Sequence, residues 1–165
     1  MNTLTKLVFT LAVLFAFSGT NANAQQSLFR STIIGSNPNE IIAGVTSGGA
    51  PWQVSRARTS LSKSGNLRVT LRGLVLVSTL VSPVSQIAAS LVCGGSGGAV
   101  AATTDAFGLT TDGNADVEQK ITLPTSCLAP VVIVRAVGAT GPGAFIAATG
   151  FNAATLSDGD SDADD

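Results

Sequence analysis

The stretches RARTSL (Arg56–Leu61) and LRVTLR (Leu67–Arg72) alternate polar and apolar residues one by one. A period of two is the signature of a strand with one buried face. The two runs flank Ser62-Lys63-Ser64-Gly65-Asn66, so they predict an antiparallel hairpin. Face matching selects one register, with Leu61 opposite Leu67, Thr59 opposite Val69 and Ala57 opposite Leu71. The loop is then Lys63-Ser64-Gly65, three residues with glycine last, a common bulged form. On the other face Ser60 lies opposite Arg68, Arg58 opposite Thr70, and Arg56 opposite Arg72. Trp52, Val54, Leu74 and Leu76 share the arginines' parity, which predicts an apolar far end covered by other strands.

Similar signals recur along the chain between turn residues. LFRSTIIG, EIIAGV, WQVSRARTSL, LRVTLRGLVLV, VSQIAASLVC, AVAATTDAF, ADVEQKITL, PVVIVRAVG and AFIAATGF all read as strands. Ala115, Val117, Gln119, Ile121 and Leu123 alternate with Asp116, Glu118, Lys120 and Thr122, a half-buried strand with a charged outer face. VVIVRAV is apolar on both faces except at Arg135, which predicts a central strand with Arg135 at a rim. Asp112-Gly113 is a tight-turn dipeptide. No window after Ala24 shows sustained helical periodicity. The fold class expected is all-β, an antiparallel β-sandwich with immunoglobulin-like or superoxide-dismutase-like topology.

The amino-terminal residues change the picture of where the protein works. Lys6 precedes the apolar run Leu7–Phe17, and Ala22-Asn23-Ala24 supplies small residues for cleavage. This is the order of a secretory signal peptide. The run is too short for a bilayer, which takes about 20 apolar residues. The expected organisation is a signal peptide over 1–24, a β-sandwich domain over 25–152 and a disordered acidic tail over 153–165, with no transmembrane anchor after cleavage. The expected location is secreted or periplasmic. In such a compartment the chain's two cysteines, Cys93 and Cys127, read as one disulfide. Its loop of about 35 residues gives roughly 3–4 kcal/mol in the chain-entropy picture.

Composition narrows the chemistry. The chain has no histidine, which removes the usual general base near neutral pH and the imidazole ligands of most zinc and copper sites. No metal or other cofactor is expected. The glycine cluster Gly94-Gly95-Ser96-Gly97-Gly98 has the letters of a nucleophile elbow, but that turn needs a following helix and a histidine. It also lacks the lysine and hydroxyl of a phosphate-binding loop. A bend between two strands is the expected role. Asp158, Asp160 and Asp162, and again Asp112, Asn114 and Asp116, show the first half of a calcium-loop pattern without its glycine and glutamate. The acids of the body are Glu40, Asp105, Asp112, Asp116 and Glu118. A glycosidase-like hydrolase would need two of them to converge.

Charge is unevenly spread. Five aspartates, Asp158, Asp160, Asp162, Asp164 and Asp165, lie after Ser157, while the body carries a surplus of Lys and Arg. The register above gathers Arg56, Arg58, Arg68 and Arg72 on one face. Such a face is solvated, neutralised by the protein's own acids, or used to hold an anion. Arginine's planar fork of donors suits oxyanions. The partners expected are an anionic glycan or another envelope component. Nucleic acid is not expected, since no aromatic residues interleave with the arginines.

From Ala50 onward the chain resembles short secreted bacterial β-rich proteins. The residues that carry the likeness are GGAPWQVSRARTSLSKSGNLRVTLRGLVL, ASLVCGGSGG, LPTSCLAPVVIVR and FIAATGF. The resemblance brings no functional residue with it. The layout is also loosely similar to the chordin-type domain and to the copper/zinc superoxide dismutase sandwich. That enzyme depends on metal-binding histidines, which this chain lacks, so the likeness implies a fold alone. The function expected is a non-catalytic binding or structural module of the envelope or exterior, with a carboxylate-dependent hydrolase or a weak calcium-binding protein as the alternative.

Overall fold

The computed structural model describes residues 26–94 and 97–151. Among the described residues thirteen strands run in this order: β1 (Ser27–Gly35), β2 (Ile41–Ile42), β3 (Val45–Thr46), β4 (Trp52–Gln53), β5 (Arg56–Ser62), β6 (Asn66–Arg72), β7 (Val75–Leu76), β8 (Gln86–Cys93), β9 (Ala99–Thr103), β10 (Phe107–Gly108), β11 (Ala115–Lys120), β12 (Val131–Gly138) and β13 (Gly141–Thr149). No α-helix occurs among the described residues. The expected signal peptide, and the tail from residue 153, lie outside them.

One hydrogen-bonded path links most strands in the order β10-β8-β12-β13-β1-β5-β6-β11, and β9 also pairs with β8. All of these pairings are antiparallel. The all-β, antiparallel, single-disulfide expectation therefore holds, in the form of one continuous sheet that curls on itself. β1 makes the curl possible. Its first part pairs with β5 from Ser27 to Thr32, and Ile33, Ile34 and Gly35 pair with β13. A strand that changes partners midway turns a corner in the sheet. At the far ends the two edges approach each other. The Asp105 backbone N–H donates to Gln119 Oε1 at 2.8 Å, and Gln119 Nε2 donates to Asp105 Oδ2 at 3.1 Å.

The enclosed core contains Leu67, Leu71, Leu74, Ile87, Leu91, Val132 and Val134, with Trp52 and Val117. β12 lies between β8 and β13, the central strand expected from its two apolar faces. Val132 and Val134 point into the core. Ile133 joins Val92, Phe145 and Ala148 in a second cluster, over which Ile42 and Val45 pack. The EIIAGV stretch is thus a small hairpin, β2 with β3, and not the single strand its apolar residues predict. Ala43 and Gly44 turn it at positive φ.

Three other predicted strands are each split in two. WQVSRARTSL divides into β4 and β5, LRVTLRGLVLV into β6 and β7, and AVAATTDAF into β9 and β10. Gly73 takes φ +70° at the second break. Across the first two breaks the parity resets, so Trp52 and Leu74 join the same core as Ala57 and Leu71. They do not continue the arginine face as their parity suggests. At the third break Thr104 turns its hydroxyl to accept from the Ala89 N–H at 3.0 Å, a side chain standing in for a strand carbonyl.

The glycine cluster joins two paired strands, as expected. β8 and β9 pair on either side of it, with Cys93 opposite Ala99. Gly94 takes φ +92°, and a Cβ on Gly98 would stand 1.8 Å from the Cys93 carbonyl oxygen. Gly95 and Ser96 lie outside the described residues. Cys93 is disulfide-bonded to Cys127, with Cα atoms 5.0 Å apart. The bridge ties the end of β8 to the segment that leads into β12. No helix among the described residues is long and apolar enough to cross a membrane.

Candidate functional site: the arginine face

The β5–β6 hairpin has the register expected from side-chain alternation. Arg56 lies opposite Arg72, Arg58 opposite Thr70, and Ser60 opposite Arg68. Its loop is stabilised from within. The Gly65 N–H donates to the Ser62 carbonyl at 3.0 Å, and the Asn66 N–H donates to Ser62 Oγ at 3.1 Å. Gly65 is at φ +86°, a conformation that side chains resist. The four arginines are exposed, while Ala57, Thr59, Leu61, Leu67, Val69 and Leu71 are buried beneath them.

Neighbouring strands change the electrostatics of this face. β11 pairs with β6 so that Asp116 lies opposite Thr70 and Glu118 opposite Arg68. Arg68 donates to Glu118 Oε1 at 2.6 Å. Arg72 Nη2 reaches both oxygens of Asp116, at 3.1 and 2.9 Å, and its Nη1 donates to the carbonyls of Leu71 and Ala115. The hydrogen bond from Arg72 holds the Asp116 carboxyl below its ordinary range, partly opposed by desolvation. Two of the four arginines are therefore neutralised by the protein's own acids.

On the other side β1 adds a cation that the hairpin pattern did not include. Arg30 lies opposite Ser60, and Thr32 opposite Arg58. One row across the sheet thus reads Arg30, Ser60, Arg68, Glu118, and the next reads Thr32, Arg58, Thr70, Asp116. Among the described residues, Arg30, Arg56 and Arg58 have no carboxylate partner, since the ion pairs there are Arg68–Glu118 and Arg72–Asp116. The alternation of LFRSTIIG puts Arg30 on an outer face, but only the pairing of β1 with β5 puts it beside the hairpin.

Two recesses flank these side chains. A small one of about 110 Å³ is lined by Ser27, Arg30, Ser60, Ser62, Asn66 and Arg68. A groove of about 650 Å³ opens where β1 leaves β5, and its lining includes Thr32, Asn37, Gln53, Arg56, Arg58 and Phe151. Both present guanidinium, hydroxyl and amide donors, the groups that bind oxyanions.

The remaining candidates are occupied with other work. Asp105 bonds Gln119, and Glu40 accepts from the Asn37 backbone N–H at 3.0 Å and from Asn37 Nδ2 at 3.2 Å. With Asp116 and Glu118 in ion pairs, four of the body's acids are each held by a different partner. In the partial calcium pattern, Asn114 Oδ1 accepts from the Gly73 N–H and Asp116 is bound to Arg72. Among the described residues no group of three or more acid, cysteine or histidine side chains is placed to hold a metal ion. The aspartates Asp158, Asp160 and Asp162 lie outside them. Arg135 sits at the β12–β13 hairpin, donating through Nε to the Gly143 carbonyl at 2.7 Å and through Nη2 to the Pro142 carbonyl. Its partial burial lowers its pKa from the ordinary arginine value. Comparison of the chain with family models, curated proteins and solved structures gives no match.

Proposed function

We propose that the protein is a secreted, non-catalytic binding module that holds anionic polymers of the cell envelope or exterior, such as sulfated or phosphate-bearing glycans. One observation carries this reading. Arg30, Arg56 and Arg58 stand exposed on adjacent strands without acidic partners among the described residues, beside recesses lined by hydroxyls and amides. Residues two apart on a strand are about 6.6 Å apart, and adjacent strands about 4.8 Å. That spacing offers several guanidinium groups to one polyanionic chain. Arg68 and Arg72 serve a second role here: paired with Glu118 and Asp116, they limit the charge of the face on the β11 side.

Heparin, a sulfated polyanion, tests the reading. The full chain is expected to be retained on a heparin column and released by salt, because exposed charge interactions are screened. The double variant Arg56→Gln, Arg58→Gln is expected to elute at clearly lower salt, with an unchanged thermal transition. Co-elution of the double variant with the parent overturns the reading.

A further inference from the structure

The large groove lies where the described chain ends. The Gly150 N–H donates to the Thr32 carbonyl at 3.1 Å, and Thr32 Oγ1 donates to the Gly150 carbonyl at 2.5 Å. Thr32 is the residue opposite Arg58. The chain just past β13 is thereby pinned to the strand that neighbours Arg58, which has no carboxylate partner among the described residues. Phe151 follows at once, 71% exposed, and lines the same groove as Arg56 and Arg58. Beyond Phe151 the sequence continues NAATLSDGDSDADD, with every charge negative. From Phe151 to Asp158 an extended chain spans about 23 Å, at roughly 3.3 Å per residue. That is ample reach for a groove the segment already adjoins.

Charge complementarity names the occupant. The described residues contain eight Lys and Arg against five Asp and Glu, and the segment after Phe151 carries five aspartates. A covalent tether between a weak acidic ligand and its site replaces bimolecular binding by a local concentration in the millimolar range. We propose that the groove between β1 and β5 is a site for an acidic peptide, and that its resident ligand is the chain's own segment Ser157–Asp165, which competes with external polyanions for Arg56 and Arg58. The inference rests on the anion-site reading given above. It adds regulation to it: binding of a polyanion requires displacement of the segment, so affinity depends on the balance between two anions and on salt.

The test uses the full chain and a full-length variant with Asp158, Asp160, Asp162, Asp164 and Asp165 all changed to Asn. The primary readout is the side-chain Nε–Hε resonances of Arg56 and Arg58 in nitrogen-15 NMR spectra, because heparin retention also responds to net charge alone. In the variant these two resonances are expected to shift, while that of Arg135, at the β12–β13 hairpin, stays in place. The variant is also expected to elute from heparin at higher salt than the parent. Coincident Arg56 and Arg58 resonances in the two proteins overturn the inference, even if both proteins bind heparin. A resonance difference that grows with protein concentration overturns it too, since the occupant is then the segment of a second copy. Shifted resonances in proteins that heparin does not retain uphold the segment's docking and reject the polyanion reading.

Discussion

At the scale of single residues, two positions combine sequence legibility with a sharp physical consequence. Gly113 closes the turn predicted from Asp112-Gly113, donating its N–H to the Thr110 carbonyl at 2.8 Å. It takes φ +74°, and a Cβ there would lie 2.3 Å from both the backbone nitrogen and the oxygen of Leu74. Gly113→Ala is therefore expected to cost about 1–3 kcal/mol in chemical unfolding, the range for a side chain forced into a sparsely populated conformation. Gly108→Ala is the control. Its added Cβ would meet nothing within 4 Å, so little change is expected. Asp116 provides the second prediction. Its carboxyl is held low by the hydrogen bond from Arg72. A carboxyl whose pKa falls on folding contributes stability above the ordinary aspartate range, near 3.9, and loses it as pH falls through the lowered value. NMR titration of the Asp116 carboxyl carbon is expected to give a midpoint below the ordinary range. Arg72→Gln is expected to raise it. A midpoint indifferent to Arg72→Gln would show that the pair does not form in solution.

At the scale of elements, the β5–β6 hairpin is where local pattern was sufficient. Strict alternation over both strands and a glycine-containing loop left one register that buries every apolar residue, and a slip by one would have exposed them all. The same reasoning failed where a strand was interrupted. Periodicity assumes an unbroken pleat, and it does not register that Val54-Ser55 or Gly73-Leu74 bends the backbone and resets which face is buried. The breaks are tertiary in origin. The Ser55 N–H bonds the Arg72 carbonyl, and the Leu74 N–H bonds the Gly113 carbonyl, so the bends are fixed by partners outside the stretch itself. EIIAGV likewise became a hairpin because Ile42 and Val45 cover apolar residues on the outer side of β12 and β13.

At the scale of the whole molecule, the disulfide fastens one side of the curled sheet. Cys93 and Cys127 are 34 residues apart in sequence. Closing that loop in the unfolded chain is expected to stabilise the protein by roughly 3–4 kcal/mol. Thiol labelling of the denatured, unreduced protein should find no reactive cysteine, and the double variant Cys93→Ser, Cys127→Ser should unfold at a correspondingly lower denaturant concentration. Two labelled thiols per chain would contradict the bridge. The two edges of the sheet also meet through the side chain of Gln119 on Asp105.

The amino-acid pattern alone was enough for the class of fold, the hairpin register, the turns at Gly65 and Gly113, the cysteine pair and the outward direction of the four hairpin arginines. These follow from short-range physics: the two-residue period of a pleated strand, the conformational freedom of glycine, and the burial of apolar faces. Which arginines are neutralised depends on strand pairing across the whole sheet. Asp116 and Glu118 were legible as an outer charged row on their own strand, but β11 is far along the chain from β6, and nothing local names its neighbour. The pairing turned Arg68 and Arg72 into ion-pair partners and left Arg56 and Arg58 without a carboxylate partner among the described residues. The pairing of β1 with β5 brought Arg30 to the same surface. Strand adjacency is set by how the whole apolar set closes around one core, so the charge pattern that crosses strands exists only after the sheet has formed.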